Sequence, residues 1–255
     1  MTIDGIGAAY DAASDGWRAG PERMYARMAE VLADHAPVDP LDMAGARVLD
    51  AGAGTGVAGE ALRRRGASTV VAVDLAPGML PRAPALSTVG DLARLPFADG
   101  AFDLAAAAFS LNHFEDPVPA MAELRRVATA LVASAYAPDW SHPAKEAIEG
   151  VLVRHGYQPP EWYAVVRADA NPSPSELEEF ARRAGYAEAR AVTLDVATGM
   201  DTAADLVDWR FGMAHTAPYV DTLAPDDRAR LRADAEAAVA GLPPLVVAMI
   251  VLSAR

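Results

Sequence analysis

The stretch Val48-Leu-Asp-Ala-Gly-Ala-Gly-Thr-Gly56 decides the fold of this chain of 255 residues. A short apolar strand runs into three glycines at alternate positions, Gly52, Gly54 and Gly56, and then into a helix-forming stretch from Val57 to Arg65. Such a turn presents backbone N–H groups and a helix N-terminus to a ligand, and its glycines let the ligand approach the backbone. A second apolar run, Thr69 to Val73, ends on Asp74, 18 residues beyond Gly56. At the carboxyl end of that strand, Asp74 offers two acceptor oxygens to the two hydroxyls of a ribose. An adenosine-bearing ligand is the expectation. Read singly, the glycines also suit an ordinary tight turn, and Asp74 or Asp91 a helix N-cap.

Glycine spacing alone leaves the ligand open. Gly54-Thr-Gly56-Val-Ala-Gly59 matches the dinucleotide fingerprint literally, but counted from Gly52 the match fails at Val57. Asp50 discriminates better. Two residues before Gly52, it sets a carboxylate beside the turn, which repels a pyrophosphate and suits a cationic amino acid. S-adenosylmethionine carries an ammonium and a sulfonium and fits that requirement. No Walker lysine is present.

Further motifs follow in order: Val73-Asp-Leu-Ala-Pro-Gly-Met-Leu80, Gly90-Asp-Leu-Ala-Arg-Leu-Pro-Phe97, Phe102-Asp103 and Phe109-Ser-Leu-Asn-His-Phe-Glu-Asp-Pro117. From Tyr10 to about Tyr136 the chain resembles the class I S-adenosylmethionine-dependent methyltransferases, in the small-molecule branch called methyltransferase type 11 or UbiE-like. The resemblance implies that Gly52, Gly54 and Gly56 line the methionine part of the cofactor and that Asp74 holds its ribose. It implies that Asp91 meets the adenine amino group and that Leu75, Met79 and Leu92 sandwich the ring. Ser110 and Leu111 would lie at the end of the fourth strand, beside the methyl donor. The chain departs from the family at Arg126, where Val-Ala-Thr-Ala-Leu replaces the usual Arg-Pro-Gly-Gly turn before strand five.

The implied fold is α/β: a Rossmann-like, doubly wound, seven-stranded sheet, mostly parallel with an antiparallel last strand, plus an N-terminal helical segment. Strands are expected at Ala46 to Leu49, Val70 to Val73, Ala85 to Val89, Phe102 to Phe109, Ala130 to Ala135, near Arg190 to Val196 and at Leu245 to Leu252. Alternation with helices predicts the parallel sheet. One domain is expected over residues 1–255, with a helical lid at 1–45, a cofactor-binding core at 46–136 and an acceptor-side half at 137–255. An insertion at 199–223 is rich in large apolar and aromatic groups and is the candidate wall of an acceptor pocket, with Trp209 and Trp140. In the N-terminal segment, Met24, Met28, Val31 and Leu32 share one helical face. The resemblance implies that this segment folds over the cofactor cleft, with Tyr10, Trp17 or Tyr25 excluding water; a helix packed on the sheet is the alternative.

Composition narrows the partners. A formal net charge of −13 argues against nucleic acid, which requires clustered Lys and Arg. There is no cysteine, which removes thiolate metal sites and every cysteine-nucleophile mechanism, and no metal site is expected. The apolar run Leu245 to Leu252 is too short for a membrane helix, and Met1-Thr-Ile-Asp-Gly lacks a basic leader region, so a cytoplasmic protein without membrane attachment is expected. Oligomeric state is not readable.

Methyl transfer from a sulfonium is an in-line displacement, so the site must hold nucleophile, methyl carbon and sulfur collinear and dry. A hydroxyl or acidic carbon benefits from a general base. Of five histidines, His113 follows strand four directly and His215 sits in the insertion; these are the catalytic candidates, with His142 behind them. The expected function is methyl transfer to O, N or C of a small acceptor, a secondary metabolite or quinone-like compound. The alternatives are a non-methylating reaction such as a cyclisation on the same fold and cofactor, a non-catalytic subunit, and a nicotinamide dehydrogenase.

Overall fold

The computed structural model describes residues 3–82, 86–163 and 171–255. They form one seven-stranded sheet: β1 Arg47–Ala51, β2 Thr69–Asp74, β3 Leu86–Val89, β4 Phe102–Ala108, β5 Ala128–Tyr136, β6 Ala189–Ala197 and β7 Val246–Ala254. The spatial order is β3-β2-β1-β4-β5-β7-β6. All seven predicted strands exist, each within about two residues of its predicted bounds; the expected start of β3 at Ala85 lies outside the described residues, as do Met1 and Thr2.

The order reverses at β1, which pairs in parallel with β2 on one side and β4 on the other. A crevice opens where neighbouring strands lead away in opposite directions, so the carboxyl ends of β1, β2 and β4 are the expected ligand edge. β5 pairs in parallel with β4 and antiparallel with β7, as in Ser134 opposite Val251. The central strands read as unbroken apolar runs because both faces are covered. Leu49, Val73, Leu131 and Ile250 join Met121 and Leu124 of the helix Val118–Val127 in one buried cluster. Truncating Leu131 there would cost roughly 2–5 kcal/mol.

The departure at Arg126 has a structural answer. The helix Val118–Val127 passes straight into β5 at Ala128, whose backbone is already extended. No turn intervenes, so the strand begins two residues before the predicted Ala130. The guanidinium of Arg126 donates to the carbonyls of Phe97 (2.8 Å) and Leu95 (3.1 Å) and pairs with Glu123 and Asp99. Its own carbonyl accepts the Gly100 N–H at 2.9 Å. The long side chain at this junction thus satisfies two carbonyls of the loop that precedes β4.

The chain divides into two compact units. The larger comprises Met28–Asp139, Ala170–Val196 and Ala248–Arg255; the smaller comprises Met1–Arg27, Trp140–Asp169 and Ala197–Val247. In the smaller unit the insertion folds into the helices Ala203–Phe211 and Ala217–Thr222. The N-terminal helices pack on the first of these nearly backbone to backbone. A Cβ on Gly20 would stand 2.0 Å from the Asp208 carbonyl oxygen, and one on Gly212 would stand 2.3 Å from the Gly16 oxygen. Tyr10 meets Trp17 edge-on and Trp17 meets Tyr25 at a tilt, with ring centroids 5.6 and 4.8 Å apart. The expected lid residues and the insertion are therefore parts of one packed body.

Candidate active site

In the larger unit β1 delivers Asp50 and the glycine turn to the carboxyl edge of the sheet. Gly52, Gly54 and Gly56 have φ of 67°, 52° and 88°, which side-chain-bearing residues rarely adopt. They are not glycine for one reason. A Cβ on Gly52 would lie 2.3 Å from the Ser110 Cβ, and one on Gly56 would lie 2.6 Å from Pro81 Cγ, whereas at Gly54 it would meet only the Met79 methyl at 3.5 Å. Two of the glycines accommodate protein neighbours, and Gly54 leaves open approach.

The N–H groups of the turn correct the expectation that they face a ligand. Those of Gly52 and Ala53 donate to the Val73 carbonyl, that of Gly56 to the Ala53 carbonyl, and that of Gly54 to Asp74 Oδ2 at 2.7 Å. Four of the turn's donors are thus engaged within the chain, whereas an anion-binding turn directs its donors at the ligand.

Asp74 is held on both oxygens, with Oδ1 accepting the Ala76 N–H at 2.8 Å. Each carboxylate oxygen keeps a second lone pair, so capacity for two hydroxyl donors remains. Burial raises its pKa above the usual carboxylate value, against the lowering effect of the Ala76, Gly54 and Leu75 N–H groups. No helix follows Asp74 or Asp91. Asp91 instead accepts the Ala93 N–H at 2.9 Å in a local turn, so neither is a helix cap.

Asp50 is 1 % exposed. Its Oδ2 accepts the Gly59 N–H at 2.8 Å, within the first turn of the helix Val57–Arg64. Desolvation, assisted by the charge of Asp74, pushes its pKa up to about 7. Among the described residues its Oδ1 has no partner, and neither do the buried Thr55 Oγ1 and Asn112 Oδ1. All three belong to segments at this edge, and all can accept a hydrogen bond. A ligand bearing an ammonium and ribose hydroxyls supplies donors, so the residues fit S-adenosylmethionine better than a diphosphate. Thr55 was not singled out by the sequence; its place inside the glycine turn was the available signal.

Leu92 Cδ1 and the Met79 methyl flank the turn, both residues being buried, and Leu75 is half-buried. Ser110 donates to the Ala51 carbonyl at 2.8 Å, closing β4 onto β1, and Leu111 is buried beside it. Phe109, just before, has φ of 53°, an outlier for an aromatic residue. Its N–H bonds to Ser134, and its ring lies 4.7 Å from that of Tyr136. No sequence pattern announces a left-handed phenylalanine. His113 ends the 3₁₀ turn Leu111–His113. Although part of the residue reaches the surface, its ring is enclosed, and desolvation pushes its pKa down to about 4.

The structure thus gathers Asp50, the three glycines, Asp74, Met79, Leu92, Ser110, Leu111 and His113 in the larger unit. His215 belongs to the smaller one. It is buried, stacked on Tyr163 at 3.6 Å, and its Nε2 lies 3.1 Å from Arg210. His142 accepts the Ala144 N–H through Nδ1 at 3.2 Å and caps the helix Pro143–Arg154. No group of side chains suited to a metal ion occurs among the described residues, nor is any helix there long and apolar enough to cross a membrane.

Residues 49–130 match the model of a methyltransferase domain family. A demethylmenaquinone methyltransferase of Renibacterium salmoninarum is 34% identical over 146 residues, 55% of this chain and 58% of that protein. A malonyl-[acyl-carrier protein] O-methyltransferase of Laribacter hongkongensis is 33% identical over 171 residues, 59% of this chain and 54% of that protein. The chain therefore spans little more than half the length of the curated relatives it matches. Among solved structures, a proposed methyltransferase from an antibiotic biosynthesis pathway of Anabaena variabilis aligns over 90% of this chain and 96% of its own, with a TM-score of 0.61 at 14% identity. Over residues 49–130 the chain is thus similar to a methyltransferase domain, and its reversing strand order agrees with the class I S-adenosylmethionine-dependent methyltransferase fold that the sequence resembles.

Proposed function

We propose that the protein transfers a methyl group to a small-molecule acceptor. The observation that carries this reading is the glycine turn, whose N–H donors are engaged internally while the buried acceptor Asp50 stands beside it. When bound, S-adenosylmethionine supplies an electrophilic methyl group on a sulfonium. Asp74 binds the ribose, Asp91 the adenine amino group, Leu75, Met79 and Leu92 the ring, and Gly54 lies against the methionine part. Asp50, Thr55 and Asn112 accept hydrogen bonds at the same edge.

His113 takes the proton of the acceptor. With a pKa near 4 its ring is neutral throughout the physiological range and already in the accepting form. A hydroxyl becomes strongly acidic as its oxygen is alkylated, so a weak base in a dry site suffices late in the step. The acceptor class follows the relatives in outline only: a demethylated quinone in one, a carboxyl group on a carrier protein in the other. We favour a free small molecule of quinone-like or secondary-metabolite type. Methyl-labelled S-adenosylmethionine, incubated with the protein and a panel of phenols, quinols and carboxylic acids, tests it. Label in an acceptor is the expected result, and label in none would return the site to cofactor binding without methyl transfer.

A further inference from the structure

The smaller unit holds a buried positive charge that pairs with no carboxylate among the described residues. Arg210, near the end of the helix Ala203–Phe211, is 2 % exposed. Its Nε is fully buried without a hydrogen-bond partner, and among the described residues no carboxylate is ion-paired with it. Among the described residues the guanidinium makes two close contacts. One nitrogen lies 3.1 Å from Nε2 of His215, and its carbon lies 5.3 Å from the Trp209 ring centre. Arginine cannot shed its proton and has no lone pair to accept with, so His215 must accept at Nε2 and is held neutral. The carbonyls at the helix end offer a fraction of a charge. A buried guanidinium whose partners are an imidazole and an indole face lacks the anion that ordinarily accompanies it.

Its surroundings are aromatic. Tyr163 stacks on the His215 ring with 6° between planes, Tyr157 donates to the His215 carbonyl at 3.0 Å, and the Tyr157 and Tyr219 rings lie 5.4 Å apart. Trp209 Nε1 is also buried without a partner, one further donor beside Arg210. Two unmatched donors on successive residues, flanked by ring faces, have the chemistry that recognises a planar acid.

We infer that Arg210, with Trp209 and the His215–Tyr163 stack, forms a binding site for the carboxylate of an aromatic acid. As a statement about the acceptor this rests on the methyl-transfer reading above; as a site it rests on Arg210 alone. His215 is then a positioning residue that orients the guanidinium rather than a proton acceptor, because its Nε2 lone pair is occupied.

The test uses the full-length protein, benzoate and its uncharged analogue benzamide, read by Trp fluorescence and by thermal shift, with S-adenosylhomocysteine titrated in parallel. Saturable benzoate binding, at least ~20-fold weaker binding of benzamide, and loss of benzoate binding in Arg210→Met are expected, with S-adenosylhomocysteine affinity unchanged. Without ligand, Arg210→Met is expected to melt at or above the wild-type temperature, since an uncompensated buried charge has gone. Arg210→Lys keeps the charge without the planar fork and should retain weakened binding. Absence of benzoate binding to the wild type, equal binding of benzamide, or a lower melting temperature for Arg210→Met would each overturn the inference. Failure of S-adenosylhomocysteine to bind, with benzoate still bound, would instead count against the cofactor reading.

Discussion

Asp74 Oδ2 accepts the N–H of Gly54 at 2.7 Å, so the carboxylate assigned to the ribose also fixes the middle of the glycine turn. One residue couples the glycine turn to the loop after β2. Its second oxygen, tied to Ala76, sets the loop that carries Leu75 and Met79. In the proposed site, ribose recognition and adenine packing would be built around the same side chain.

The glycines are predicted to differ in tolerance. Gly52→Ala drives a Cβ to 2.3 Å from Ser110 Cβ at a φ of 67°, whereas Gly54→Ala has a comparable φ but only the Met79 methyl nearby. Gly52→Ala is expected to unfold the edge of the sheet and lower the melting temperature by many degrees. Gly54→Ala should fold, with S-adenosylmethionine affinity reduced about tenfold or more by backbone strain and lost approach. Melting curves and calorimetry on the two variants check the order.

Asp50 makes a pH prediction. Its folded pKa, near 7, lies well above the ordinary aspartate value, so the folded state holds this proton more tightly than the unfolded chain does. The resulting stability is fully present below about pH 4 and is lost as pH rises toward 7. Asp50→Asn removes the titration. The melting-temperature difference, variant minus wild type, is expected to grow more positive from pH 4.5 to 7.5, and a flat difference would contradict the burial argument.

His113→Ala is expected to cut turnover by ~100-fold while leaving S-adenosylmethionine affinity within a few-fold. Because the wild-type ring is neutral above about pH 4, its titration should add no acid limb to the rate profile between pH 5.5 and 8. Unchanged turnover in the variant removes His113 from the chemistry.

Arg126→Ala deprives the Leu95 and Phe97 carbonyls of their donor and breaks the pairs to Glu123 and Asp99. A lower melting temperature with unaltered cofactor affinity is expected, since this junction lies at the opposite end of β4 and β5 from the cofactor turn.

The strands were legible because each is a short apolar run bounded by turn residues, and the edge Asp50 to Asp74 because its residues are close in sequence. The interior of the turn was not. That the Gly52 and Ala53 N–H groups point to Val73, and that Phe109 takes a left-handed backbone, follow from contacts between β1, β2, β4 and β5 that no local pattern encodes. The Arg126 junction shows the same limit. Sequence registers the missing glycines, whereas their replacement by one guanidinium spans some 30 residues of chain. Arg210 was legible only as a charge within an apolar insertion; the helix that carries it packs against helices from three separate segments.

The cofactor is the claim on which the rest stands, and calorimetric titration of wild type and Asp74→Ala with S-adenosylmethionine, S-adenosylhomocysteine and NADH tests it most directly. The account predicts saturable binding of the first two to the wild type and none of NADH. It further predicts affinity weakened by about 2 to 3 kcal/mol, roughly 30- to 140-fold, in Asp74→Ala. NADH binding, or wild-type affinity for S-adenosylmethionine in Asp74→Ala, would contradict it.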